Sequence, residues 1–168
     1  MTEDDNLELI EGYLVHKDSM TPPHDCTITL VTAALSAVLP ADWLIRTQCA
    51  ITLPDSEPEP DIVVARGGAR TYAKRHPNPT DLGNLIEVAD STLASDRSDK
   101  GRIYARAKAP VYWTVNLIDR QIEVYEQPSG PTPVPGYAKT TICGANDTIP
   151  MVLDGVTVAT FAVRDLLP

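Results

Sequence analysis

The chain has 168 residues, a formal net charge of −9, 43% hydrophobic residues and 22% charged ones. That length supports one domain, residues 1–168, with a real core, and the composition excludes a disordered chain. The acidic balance argues against a large nonspecific nucleic-acid surface, which needs clustered Lys and Arg.

The N-terminus carries Glu3, Asp4 and Asp5, the opposite of a signal peptide's basic start. The longest apolar stretch, Ile28 to Pro40, is broken by Thr29, Thr32 and Ser36 and falls far short of a membrane span. A cytoplasmic protein is the default expectation. Cys26, Cys49 and Cys143 are odd in number and far apart, which predicts buried free thiols, with no disulfide framework and no cysteine zinc site.

Leu7 to Val15 predicts two short strands joined at Glu11-Gly12, a hairpin at a sheet edge. After Thr21-Pro22-Pro23, apolar residues recur at Ile28, Val31, Leu35, Val38 and Leu39. Those steps predict a helix over Asp25–Leu39, ended by Pro40. Trp43–Leu53 reads as a strand closed by Pro54. Asp55–Pro60 is an acidic, proline-rich loop, and Asp61 opens the β-branched strand Ile62-Val-Val-Ala. Residues 66–81 are rich in Gly, Pro and Arg and predict a mobile loop. Asn84–Ala89 is a second short apolar strand. Ser95–Lys108 reads as an amphipathic helix with Ser95 or Asp96 as cap and a basic outer side. Val111–Leu117 and Gln121–Tyr125 form a hairpin. Short strands and a final turn, Phe161 to Leu167, complete the chain. Strands on both sides of a central helix predict an α/β fold with a mixed sheet and flanking helices.

Two carboxylates interrupt strands that otherwise favour burial: Asp61 at the start of one, Glu87 within Leu85-Ile-Glu-Val-Ala89. A buried carboxylate is costly unless it is paired or binds a metal. Alone, each fits the polar face of an alternating strand. On neighbouring strands, they would share one hard cation such as Mg2+, which prefers carboxylate oxygen. Lys100 follows Glu87 by thirteen positions, at the start of the basic helix. A metal to polarise a phosphate, and a cation beside the developing charge, are what phosphodiester hydrolysis needs. Arg97, Arg102 and Arg106 surround Lys100 in sequence and are expected to stay solvated, free to meet a phosphate backbone.

The stretch Leu85–Val115 resembles the Uma-two family, whose members are grouped with restriction endonucleases of the PD-(D/E)XK nuclease fold. Glu87-Val88, Ser91, Asp96, Lys100, Tyr104 and Tyr112-Trp113 carry the resemblance. Upstream, Glu59-Pro60-Asp61, Glu8-Leu-Ile-Glu-Gly12 and Met20-Thr-Pro-Pro-His24 match in the same order. The resemblance implies a restriction-endonuclease-like α/β fold, Asp61 and Glu87 as metal ligands, Mg2+ or Mn2+ as cofactor, DNA as partner, and a homodimer. Ala89 stands where the superfamily's lysine would be, so Lys100, on the next helix, takes the lysine's role. Glu11 and His24 are accessory candidates. Asn116 replaces a usual Asp, and Lys108-Ala-Pro-Val111 replaces a usual Gly-x-Pro-Glu; both lie away from the expected metal. The expected function is a metal-dependent DNA endonuclease. The alternative is a non-catalytic nucleic-acid-binding or regulatory module on the same fold, and a structural homodimer is the third reading.

Overall fold

A computed structural model describes residues 7–17 and 20–168. The acidic start, Glu3 to Asp5, lies outside the described residues. The centre is a six-stranded sheet of β3 (Trp43–Thr47), β4 (Ile62–Arg66), β5 (Leu82–Ala89), β6 (Val111–Asn116), β7 (Gln121–Pro128) and β8 (Tyr137–Gly144), in that spatial order. All neighbours are antiparallel except β5 and β6. Parallel neighbours need a crossover, and the helical segment 93–106 supplies it. The sheet is therefore mixed, as the sequence predicts.

Both faces of the sheet are covered, which explains why β5 is buried along its whole length. One face packs Ile62, Val64, Ile86, Val88 and Trp113 against Val31 and Leu35 of α1 (Pro22–Ser36). The same cluster takes in Ile149 and Met151 from β9 (Thr148–Leu153), which pairs with β10 (Val156–Ala162) as a separate hairpin. The other face packs Val63, Leu85 and Tyr112 against Ile103 and Tyr104. Side chains alternate between these two cores with the strand period of two. α1 begins at Pro22 because Thr21 caps it, its hydroxyl accepting from the His24 amide at 3.4 Å.

Three local readings differ from the sequence expectation. The hairpin β1 (Leu7–Ile10) and β2 (Tyr13–His16) is its own two-stranded sheet, and it meets the segment 55–59 through the bridge Leu9 to Glu57 and bonds such as the Gly12 amide to the Asp55 carbonyl at 3.0 Å and the Glu11 amide to the Ser56 hydroxyl at 2.9 Å. The strand from Trp43 stops at Thr47, because Gln48 takes a left-handed φ of 51° and residues 48–61 run irregularly toward the site. Residues 66–81 are pinned and not loose: Tyr72 is buried with its hydroxyl donating to the Arg66 carbonyl, and Arg75 grips Asp81.

The helical segment is α2 (Leu93–Ser95), a π turn over Asp96–Lys100, and α3 (Gly101–Arg106). The Tyr112 hydroxyl donates to the Asp96 carbonyl at 3.0 Å across that turn. Single π turns inside helices recur at functional sites. No helix among the described residues is long and apolar enough to cross a membrane.

Candidate active site

Continuing the antiparallel register Ile62 to Ile86 by one residue sets Asp61 opposite Glu87. The Asp61 amide donates to Glu87 Oε2 at 3.3 Å, and Asp61 Oδ2 accepts from the Val88 amide at 2.8 Å. These bonds fasten the two acids to each other's strands in the lining of a pocket of about 350 Å³. Glu87 is 2% exposed and Asp61 8% exposed.

The π turn brings the cation. Lys100 Nζ stands 3.1 Å from Glu87 Oε1, 3.7 Å from Asp96 Oδ1 and 3.8 Å from Glu8 Oε1. Tyr104 donates to Glu87 Oε1 at 2.6 Å from one turn further along. α1 brings His24, whose Nε2 lies 3.1 Å from Asp61 Oδ2. The structure thus gathers Asp61, Glu87, Lys100 and His24 around one pocket.

The charges do not balance. Six acids line the pocket, Glu8, Glu59, Asp61, Glu87, Asp90 and Asp96, against two lysines, Lys17 and Lys100, and two histidines, His16 and His24. Lys17 is paired with Glu59, which leaves Lys100 and His24 to face Glu8, Asp61, Glu87 and Asp96. Burial, with Asp61 and Asp96 adding to it against the pull of Lys100, pushes Glu87 up to about 8. Burial likewise raises Asp96. Asp61 is held below its ordinary value because the His24 bond, the Val88 amide and Lys100 outweigh its burial. Lys100 is raised above its ordinary value: burial opposes its charge, but Glu87, Glu8, Asp96 and Asp61 prevail. The hydrogen bond to Asp61 raises His24 against its own burial. The pocket therefore holds an extra proton where another positive charge would fit.

Among the described residues, no three His, Cys, Asp or Glu side chains form a ready-made metal-binding group. Mg2+ does not require one, since it binds through one or two carboxylates and fills its octahedron with water and phosphate oxygen. The hydrogen bonds to the Asp61 carboxylate among the described residues fall on Oδ2, which leaves Oδ1 without one. Among the described residues, Glu87 Oε2 has only the long bond from the Asp61 amide. These two oxygens and the unbalanced charge fit a divalent cation.

The remaining candidates lie elsewhere. Glu11, at the hairpin tip, is not in this pocket. It takes 2.6 Å bonds from both terminal nitrogens of Arg102 and a 2.8 Å bond from Arg106. Those two guanidinium groups hold its carboxyl down at about 2. Arg106 also binds Asp55 at 2.8 Å. Arg97 forks onto Glu123, with Nε at 2.9 Å. The three arginines expected to be solvated are thus each committed to a carboxylate.

Two site residues escaped the sequence reading of roles. Asp96 reads there as a cap, and Glu8 as a hairpin residue, yet they are 2% and 7% exposed beside Lys100. Asp96 had a signal, since it precedes Lys100 by four positions, the spacing of one helix face. Glu8 had only its place in a short strand and in the matched opening hairpin, neither of which gives it a role.

The family model described as "Uma2: Putative restriction endonuclease" matches residues 1–162. No curated protein matches the chain. Among solved structures, the chain is similar to a "putative nuclease belonging to DUF820" from Anabaena variabilis ATCC 29413, with a TM-score of 0.71 and 16% identity. The alignment covers 95% of this chain and 88% of that one. At that identity the likeness shows the fold, a nuclease-like mixed α/β architecture. With nearly its whole length matched, the chain belongs to the Uma2 family.

Proposed function

We propose that this chain is a divalent-metal-dependent nuclease that hydrolyses phosphodiester bonds in DNA. The observation that carries the proposal is the juxtaposition of Asp61 and Glu87 across one strand pair, with the Lys100 ammonium 3.1 Å from Glu87, in a pocket with surplus acid. The family's description and the nuclease-like neighbour support the same reading.

Asp61 and Glu87 would hold Mg2+ or Mn2+, which supplies Lewis acidity to a phosphate and lowers the pKa of a bound water. The chain's own side chains do the rest. Lys100, kept protonated by its acidic neighbours, places a fixed cation where negative charge develops on phosphate oxygens. His24 and the Val88 amide orient Asp61 through Oδ2. Tyr104 and the Asp61 amide orient Glu87.

The test is Mn2+ titration by calorimetry, followed by cleavage of plasmid and single-stranded DNA with Mg2+ or Mn2+. Asp61→Asn should keep the fold and lose metal affinity. Metal binding and DNA binding without any cleavage would support the non-catalytic module instead. A wild type that neither binds metal nor cuts DNA refutes the proposal.

A further inference from the structure

Nearly every arginine close to the site is neutralised within the protein. Arg66 holds Asp42 at 3.2 Å and also pairs with Asp154, Arg75 holds Asp81, Arg97 holds Glu123, and Arg102 and Arg106 hold Glu11. Arg46 is different. Its Nε is buried and has no hydrogen-bond partner among the described residues. Its guanidinium lies 5.2 Å from the centre of the Tyr72 ring, and Arg75, itself tied to Asp81, lies 5.1 Å from the same centre. Arg46 is thus held in place by an aromatic face, with no side-chain hydrogen bond or ion pair among the described residues.

The position of Arg46 gives this significance. It pairs with Val63 across β3 and β4, so its side chain leaves the sheet on the face that also carries Asp61, two residues before Val63. Two residues along a strand and one strand across separate the Cα atoms of Arg46 and Asp61 by about 8 Å. Arg46 lines a second pocket of about 410 Å³, open to solvent, together with Gln48 and His76. This pocket and the acidic one share Glu8, Gln48 and Glu59, so they are contiguous. Of the acids in the second pocket, Glu59 is paired with Lys17 at 3.1 Å, and Glu8 stands by Lys100. Glu57 takes a hydroxyl bond from Thr52 at 3.0 Å.

We propose that Arg46 is a phosphate-binding residue that seats the backbone of a DNA strand next to the acidic pocket, with Gln48 between the two. The proposal rests on the nuclease reading above and extends it: the sheet-edge strand β3, and not the arginines of the basic helix, makes the charged contact with the strand. A planar guanidinium without such a bond among the described residues is suited to the two free oxygens of a phosphodiester. The three helix arginines would first have to surrender a carboxylate.

The experiment uses the full chain with Ca2+ present, so that binding is read without cleavage. Fluorescence anisotropy of single-stranded and duplex oligonucleotides is measured over a range of salt concentrations. Arg46→Gln should raise Kd about tenfold and lower the salt slope by about one unit, with Mn2+ affinity unchanged. Arg46→Lys should keep the wild-type slope with an intermediate Kd. Arg102→Gln should change the slope little. If Arg46→Gln does not fold, the wild-type chain decides. Its Arg46 Nε–H resonance, identified by its absence in Arg46→Lys, must shift on oligonucleotide titration and not with equimolar inorganic phosphate. An unmoved resonance, or an Arg46→Gln protein that binds with wild-type Kd and slope, overturns the proposal while leaving the metal site intact. Wild-type protein that binds Mn2+ but no DNA at low salt overturns both this proposal and the nuclease reading.

Discussion

Replacing Glu87 by Gln should stabilise the metal-free protein, and the size of the gain should depend on pH. The folded chain holds the Glu87 proton up to about pH 8, against an ordinary value of 4.5. Because the folded pKa is raised, the group's contribution is fully present below the unfolded value and is lost as pH rises through the folded one. Each unit in that window costs about 1.4 kcal/mol, so by pH 7 the wild type has lost about 3 kcal/mol. Glu87→Gln has no proton to release, and its amide oxygen can still accept from the Tyr104 hydroxyl. Lys100 keeps Asp96 and Glu8 as neighbours. The assay is urea unfolding in EDTA at pH 5, 7 and 8.5. The variant's advantage should be small at pH 5 and grow to about 3 kcal/mol at pH 7, or roughly 2–4 °C in Tm per kcal/mol for a chain of this size. Mn2+ at a thousandfold excess over Kd should reverse the order, because it stabilises only the protein that binds it, by about 4 kcal/mol. An advantage that does not vary with pH, or a variant less stable than wild type at pH 7 in EDTA, would refute the surplus-acid account of this pocket.

Further outcomes follow from the same contacts. Lys100→Met keeps the aliphatic stem, so Mn2+ affinity in calorimetry should survive while DNA hydrolysis falls about 10²–10³-fold. Glu123 is held at about 2 because bonds from Arg97, Tyr125, Asn116 and Gln121 outweigh its burial. Its stabilisation is present above pH 4.5 and lost as pH falls toward 2, so the stability gap between wild type and Glu123→Gln should close across that window in acid-unfolding curves. Gly83→Ala would place a Cβ 2.5 Å from Cζ3 of Trp43 and 2.7 Å from Cδ2 of Leu153. Such overpacking should cost about 1–3 kcal/mol in urea unfolding, with metal affinity unchanged.

What could be read in the sequence was local. β4 and β5 were legible because β-branched runs bounded by turns have few alternatives, and Asp61 and Glu87 stood out as single charges within them. The mixed sheet followed from strands placed before and after one helix. The pairing of charges was not legible, because it is settled by tertiary distance. Glu11 meets Arg102 and Arg106 across 91 and 95 residues, and Arg97 meets Glu123 across 26. A basic stripe on a helix reads as a solvated face when its acidic partners are so remote. Glu8 was hidden for the same reason, since its cationic neighbour, Lys100, is remote in sequence. The π turn had no signature either, because the hydroxyl of Tyr112 that occupies its carbonyl comes from the next strand.

An overall charge of −9 and a DNA substrate are compatible once the charges are located. Much of the basic character of the helix is consumed internally: Glu11 and Asp55 take Arg102 and Arg106, and Glu123 takes Arg97. Those pairs hold the hairpin and β7 against the segment that carries Asp96 and Lys100. The acid left over is concentrated in one pocket, where Glu87 retains a proton. A divalent cation entering there would displace that proton and supply positive charge at the point where a phosphate must approach. Without the cation, the surplus acid would oppose a nucleic-acid backbone on the nuclease reading proposed above. On this account metal binding comes first and DNA affinity depends on it, so the Kd for an oligonucleotide should fall as Ca2+ is raised, with half-effect at the Ca2+ dissociation constant. Anisotropy titrations at fixed ionic strength test this order. DNA affinity that is equal in Ca2+ and in EDTA would show that the acidic pocket does not face the bound strand.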